Sequence, residues 1–263
     1  MSAIIVNGKL LHYETFGRGK PLLFIHGWLG SWRYWMPAME IMSEYGRTYA
    51  MDLWGFGDSD HVNDKYSITK YVNLLDIFIE EMGFGSMTLI GHGLGAAVAT
   101  CYTAQKPDFV ARVMTISAPL SKDAINRKLL SSSPSFLDRV RGWKPSEGHP
   151  EVEQEMKKMA EGVTEACVRS ALEVDLKQQV RQIQVPFLLV HGEKDSIVAP
   201  PQPDWLSDFG ENVRAIVLPE ARHFLMLAET PKFTRLLTDF LEVQNMEQLA
   251  ALAVKEEWRR RTH

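Results

Sequence analysis

Leu89-Ile90-Gly91-His92-Gly93-Leu94-Gly95-Ala96-Ala97 is the stretch that decides how this chain is read. A short apolar run breaks into alternating glycines and passes at once into small and helix-favouring residues, the pattern of a strand, a sharp turn and a helix start. So abrupt a turn drives its central residue to positive φ, where a side chain is strained and glycine is not. Gly93 stands at that centre.

Working outward, apolar segments of strand length alternate with helical ones. Residues 3–6 and 10–15 flank Asn7-Gly8, a two-residue hairpin signal. Residues 21–25, 48–53, 87–90, 110–117, 186–190 and 213–218 read as further strands, most of them apolar throughout. Between them 34–42, 68–82, 94–104 and 231–243 read as helices, the second with Val72, Leu75 and Ile79 at helical spacing. Strands without polar alternation, separated by helices, predict a mostly parallel sheet covered on both faces. Two segments stand apart. Residues 121–182 show only helical periodicity, interrupted at Ser131-Ser132-Ser133-Pro134 and around 145–150. Residues 244–263 read as an extra helix, with Met246, Leu249, Ala250, Ala253, Val254 and Trp258 at helical spacing and Arg259-Arg260-Arg261 in the last turn, where the helix dipole favours cations.

A length of 263 residues suits one large α/β domain with room for an insertion. The net charge of −4 is spread along the chain and predicts no nucleic-acid partner. No apolar run approaches the roughly 18–20 residues of a membrane span. The first residues run straight into a strand pattern, which argues against a secretory leader. The two cysteines, Cys101 and Cys167, suggest neither a disulfide framework nor a metal site. The expectation is a cytoplasmic protein without cofactor or metal.

Four further motifs follow strand ends. His26-Gly27-Trp28-Leu29-Gly30 follows the third strand and Asp52-Leu53-Trp54-Gly55-Phe56-Gly57-Asp58-Ser59 the fourth. His191-Gly192-Glu193-Lys194-Asp195 follows the seventh, and Glu220-Ala221-Arg222-His223-Phe224 the eighth. With the 89–97 turn between them, the chain resembles the α/β-hydrolase superfamily, in its capped haloperoxidase- and esterase-like branch, with the serine of the G-x-S-x-G nucleophile elbow replaced by Gly93. The resemblance implies an eight-stranded, mostly parallel sheet with helices on both faces. Its core would span 1–120 and 184–243, with a helical cap at 121–183 and the extra C-terminal helix at 244–263.

It also implies roles. His223 would be the general base and Asp195 the carboxylate that holds its tautomer. The backbone amides of Trp28 and Leu94 would form an oxyanion hole. His26, His191 and His92 take supporting positions, His92 packing away from the pocket. Asp52, Gly55, Gly57 and Ser59 shape a turn, and Glu193 is solvated. Gly93 keeps the turn but leaves the nucleophile position without an attacking atom. In a serine triad that loss alone costs about 10⁶ in kcat, or ~8 kcal/mol of transition-state stabilisation. Ser31 reads as a helix N-cap. Cys101 lies about 12 Å along its helix at 1.5 Å per residue, too far to substitute.

Several functions fit such an elbow. One is a base-catalysed enzyme without a covalent intermediate, in which His223 activates water or abstracts a proton from a small apolar ester-like or carbonyl substrate. Another is a non-catalytic protein that captures a small apolar ligand or a partner. A third is a serine hydrolase disabled by a Ser-to-Gly replacement. A dinucleotide site is a fourth, since Gly91-His92-Gly93-Leu94-Gly95-Ala96 also satisfies G-x-G-x-x-[GA]. That motif wants an acid at the end of the next strand, where this chain has Thr115-Ile116-Ser117-Ala118-Pro119.

Overall fold

Asn7 and Gly8 both take positive φ, 52° and 76°, as the primed hairpin turn requires. They join β1 (Ser2–Val6) to β2 (Lys9–Phe16) as an antiparallel pair. The computed structural model describes residues 2–131 and 146–254. In it β3 (Pro21–Ile25), β4 (Arg47–Met51), β5 (Met87–His92), β6 (Val110–Ile116), β7 (Phe187–Gly192) and β8 (Val213–Leu218) complete an eight-stranded sheet in the order β1-β2-β4-β3-β5-β6-β7-β8. β2 is antiparallel to β4, and all pairings beyond β4 are parallel. This is the α/β-hydrolase fold that the motifs imply.

The helices are α1 (Met36–Met42), α2 (Ile68–Glu81), α3 (Leu94–Gln105), α4 (Pro150–Met156), α5 (Val163–Glu173), α6 (Leu176–Gln182), α7 (Pro203–Leu206), α8 (Leu225–Ala228), α9 (Thr230–Glu242) and α10 (Met246–Ala251). All of β5 is buried, including consecutive residues that point to opposite faces, so both faces of the sheet are covered. α1 packs on α9, with the Trp35 ring between Phe24 of β3 and Phe233 of α9. α3 packs on α2, α6 and β5. Among the described residues no helix is long and apolar enough to cross a membrane.

Two elements differ from the sequence expectation. The helix expected over 34–42 begins as a 3-10 turn at Trp32–Trp35, capped by Ser31, and turns α-helical only from Met36. Pro37, which lacks an N–H, fits the first turn of that second piece. At the C-terminus, within the described part of the helix expected over 244–263, a short helix is capped by Asn245 and ends at Ala251. There Leu252 becomes extended and buried, and its carbonyl accepts from Arg214 Nε at 3.1 Å, which ties the chain to β8. Trp258 and Arg259–Arg261 lie outside the described residues, as does the interruption read at 132–134.

Candidate active site

A parallel sheet brings the carboxyl ends of its strands to one edge, and loops at that edge form the crevice of open α/β folds. Here the ends of β3 to β8 carry every motif singled out above. The turn after β5 is as sharp as the sequence demands. Gly93 has φ 51° and ψ −107°, a region costly for any residue with a Cβ. Its N–H bonds Ile116 O at 2.9 Å, which fixes the turn to β6. Gly95 answers a different need: a Cβ there would collide with the carbonyl of Ile25, so only glycine lets α3 start against the end of β3. The glycines that satisfy the dinucleotide-like motif have local reasons as well: Gly93 takes positive φ, and a Cβ on Gly91 would collide with the carbonyl of Gly95.

The space beside Gly93 is not open. A Cβ on that residue would lie 3.1 and 3.2 Å from Cζ3 and Cε3 of Trp28, whose side chain is buried. The bare elbow expected from sequence is covered by an indole from the β3 loop.

Asp195 sits in the turn after β7 with its side chain fully buried. Its Oδ1 accepts from the amides of Ile197 and Val198, both at 2.8 Å, and its Oδ2 accepts from Ser117 Oγ at 2.6 Å. His223 Nδ1 lies 2.9 Å from Oδ2. Burial alone would raise the Asp195 pKa, but the His223 imidazole and these hydrogen bonds outweigh it and bring it down to about 2. The carboxylate is therefore ionised at neutral pH and can only accept, so Nδ1 of His223 donates to it, and Nε2 is the ring nitrogen turned away from Asp195. Ser117 reaches Asp195 because it leaves β6 with φ 53°, rare for a non-glycine residue.

Behind His223 lies His92. The two rings are in contact, tilted by 50° with centroids 4.3 Å apart. His92 Nε2 is 3.2 Å from the backbone carbonyl of His223, and Nδ1 is 3.0 Å from Tyr34 Oη. A carbonyl only accepts, so Nε2 donates, Nδ1 accepts, and the Tyr34 hydroxyl donates to it. Tyr34 Oη in turn accepts from the Gly27 N–H. Burial above all, then the charge of His223, holds the His92 pKa well below its ordinary value. A neutral imidazole thus joins the loops after β3, β5 and β8, and His92 does not turn away from the pair but backs it.

The other residues picked from sequence fall as follows. Leu94 opens α3, so its N–H lacks an intrahelical acceptor. The Trp28 N–H bonds no acceptor among the described residues. His26 accepts from the Leu53 N–H at 3.0 Å, and His191 bonds the Ala118 carbonyl at 3.1 Å, so both tie loops together. Ser31 Oγ accepts from the Arg33 amide at 3.2 Å. Burial pushes the thiols of Cys101 and Cys167 up to about 12, which leaves neither nucleophilic at neutral pH.

Sequence reasoning missed Ser117, Tyr34 and Glu147. The Glu147 carboxylate accepts from the amides of His223 and Phe224, each at 3.3 Å. Nothing in the local pattern marks these residues, since each has a partner dozens of positions away.

His12, Asp52 and Asp58 bring one ligand atom each within 4.8 Å of one another. Their partners are protein groups. Asp52 accepts from the amides of Trp32 and Asp58 and lies 3.0 Å from His12 Nδ1, while Asp58 pairs with Arg33 at 2.8 Å and Lys158 at 3.6 Å. With two cations on Asp58, this cluster braces the loops after β3 and β4 and is poorly suited to a metal.

Residues 20–170, more than half of the chain, match the family model of the alpha/beta hydrolase fold. The chain belongs to this family. Its relatives include hydrolases of several kinds. A haloalkane dehalogenase from Agrobacterium fabrum is 28% identical over 227 residues, covering 86% of this chain and 71% of that protein. A pimeloyl-[acyl-carrier protein] methyl ester esterase from Shewanella woodyi is 28% identical over 256 residues, covering 88% and 97%. Among solved structures, an enol-lactonase from Burkholderia xenovorans superposes with a TM-score of 0.80 at 18% identity, over 92% of this chain and 100% of that one, a likeness of fold.

Proposed function

We propose that this hydrolase-family protein acts on a small apolar ester-like or carbonyl compound without a covalent intermediate. His223, oriented by Asp195, is the base. Its Nε2 takes a proton from water as the water oxygen attacks the carbonyl carbon, and the carbonyl electron pair moves onto oxygen. The Trp28 and Leu94 amides stabilise that oxyanion. The intermediate collapses by expelling the alcohol, which recovers the proton from the imidazolium. Gly93 occupies the nucleophile position and takes no covalent part.

The observation that carries this reading is the set of partners around Asp195. A buried carboxylate and imidazole are no more stabilising than an apolar pair of similar volume. Ser117, Ile197 and Val198 nevertheless spend their donors on holding this carboxylate against His223. Residues 121–183 serve as the cap. Support comes from Thr164 Oγ1, 3.4 Å from the Trp28 carbonyl, and from the Arg33–Glu155 contact at 3.5 Å. A second reading, capture of a small apolar ligand without turnover, is favoured by one observation, the Trp28 ring against Gly93.

The test is turnover of short-chain p-nitrophenyl esters and an enol lactone by the protein and by Gly93→Ser, His223→Ala and Asp195→Asn. Slow turnover that disappears in the last two variants supports base catalysis. Tight binding of these compounds with no turnover supports ligand capture.

A further inference from the structure

Trp28 and Gly93 meet in a way that neither residue explains alone. A Cβ at 93 would sit 3.1 Å from the indole, below the roughly 3.5–4.0 Å of ordinary carbon contact, and any γ atom would extend further from the turn. Relief cannot come from the β3 loop backing away. The Gly27 N–H is bonded to Tyr34 Oη, and a Cβ on Gly27 would stand 2.9 Å from His92 Nδ1, so the loop is already seated on the His92 ring. From the other side Thr164 of α5 holds the Trp28 carbonyl at 3.4 Å. Only the indole itself can move. Its Nε1–H is buried with no acceptor among the described residues, a costly state that a ligand oxygen would relieve.

We propose that the Trp28 side chain, distinct from its amide, is the specificity-determining group of the site. Packed on the bare Gly93 turn, it closes the elbow to any attacking group on residue 93. It admits only ligands that displace the ring and offer an acceptor oxygen, that is, small apolar carbonyl compounds. The ligand class rests on the function proposed above. The packed pair does not.

A double-mutant cycle in urea tests the pair without reference to activity, using the protein, Gly93→Ser, Trp28→Leu and the combination. The strain of positive φ is common to both backgrounds and cancels. Gly93→Ser should shift the folding equilibrium about tenfold further toward unfolding with Trp28 present than in the Trp28→Leu background. Additive effects overturn the proposal. Should Trp28→Leu fail to fold, Trp28→Phe removes the same ring edge and keeps an aromatic residue in the loop.

Hydrolysis of p-nitrophenyl butyrate forms the second arm. Gly93→Ser alone should stay near the blank, and the combination should exceed both single variants at least about tenfold, the scale of one general-base or oxyanion contribution. Equal hydrolysis by Gly93→Ser and the combination overturns the gate. Coupled stability without hydrolysis upholds the packed pair and counts only against Gly93 as the nucleophile position.

Discussion

The ends of β7 and β8 and the ends of β3 and β5 lie at the same carboxyl edge of the sheet and are built from different chemistry. At the first, both Asp195 oxygens are filled by Ser117, two amides and His223, and the histidine loop is further tied by His92 and Glu147. At the second, the residues that meet at the turn are an indole and a glycine, carbon against carbon. A bare glycine at the turn thus coexists with an intact carboxylate–imidazole pair. A polar assembly whose members hold one another resists piecemeal change, because removing one strands the others in a medium where unpaired groups are expensive. The glycine turn carries no such obligation, and the nearest large side chain closes over it.

The largest expected effect breaks the polar half. Asp195→Ala should cost about 3–5 kcal/mol in urea unfolding, since it leaves the imidazole and three donors without their acceptor. The same group sets a pH signature. Its folded pKa of about 2 lies below that of an unfolded aspartate, so its contribution is present above pH ~4 and fades as pH falls toward 2. About 2 kcal/mol should be lost across that window in the unsubstituted protein and not in Asp195→Asn.

Next in size, His92→Phe keeps a ring against His223 but strands the Tyr34 hydroxyl and the His223 carbonyl. A loss of about 1–3 kcal/mol is expected, together with faster hydrogen exchange in both the β3 and β8 loops. Loosening of one loop alone would show that His92 does not couple them.

A third experiment sharpens the comparison one layer below the apolar half, where His12 and Asp52 brace the loop that carries Trp28 and Trp32. Burial of His12 works to lower its pKa, but the hydrogen bond to Asp52 and the charges of Asp52, Asp58 and Glu14 prevail and raise it. A raised histidine stabilises fully below its unfolded value near 6.5 and loses that contribution as pH rises through the folded value. Stability should therefore decline over that alkaline-going window, and His12→Phe should flatten the decline.

The smallest effect belongs to Glu147→Gln. The Glu147 carboxylate, which accepts from two backbone amides, is itself partly exposed, so about 0.5–1 kcal/mol is expected, read as faster exchange confined to the His223 and Phe224 amides.

Much of this was legible in the residues. Gly93 and Gly95 announce a turn that tolerates no Cβ, and the apolar strands from 21–25 to 213–218 announce a sheet buried on both faces. Asp195 and His223 were found because each closes a motif at a strand end. Ser117 was hidden because its role depends on a left-handed φ that serine seldom takes. Tyr34 was counted only as a helix residue, although a 3-10 turn aims its hydroxyl between Gly27 and His92. The break after Ala251 was not legible because periodicity does not register that the Leu252 carbonyl has a partner in Arg214. Trp28 was chosen for its amide, and the fit of its side chain against residue 93 is a three-dimensional fact that no spacing encodes.

The most direct test of the proposed chemistry is pre-steady-state hydrolysis of p-nitrophenyl acetate and an enol lactone by the protein and its His223→Ala variant, followed by intact mass measurement of the quenched mixture. The account predicts slow turnover with no burst, no acyl adduct on the chain, and loss of turnover in the variant. A burst with an adduct, turnover that survives in His223→Ala, or no turnover of either compound by the protein would contradict it.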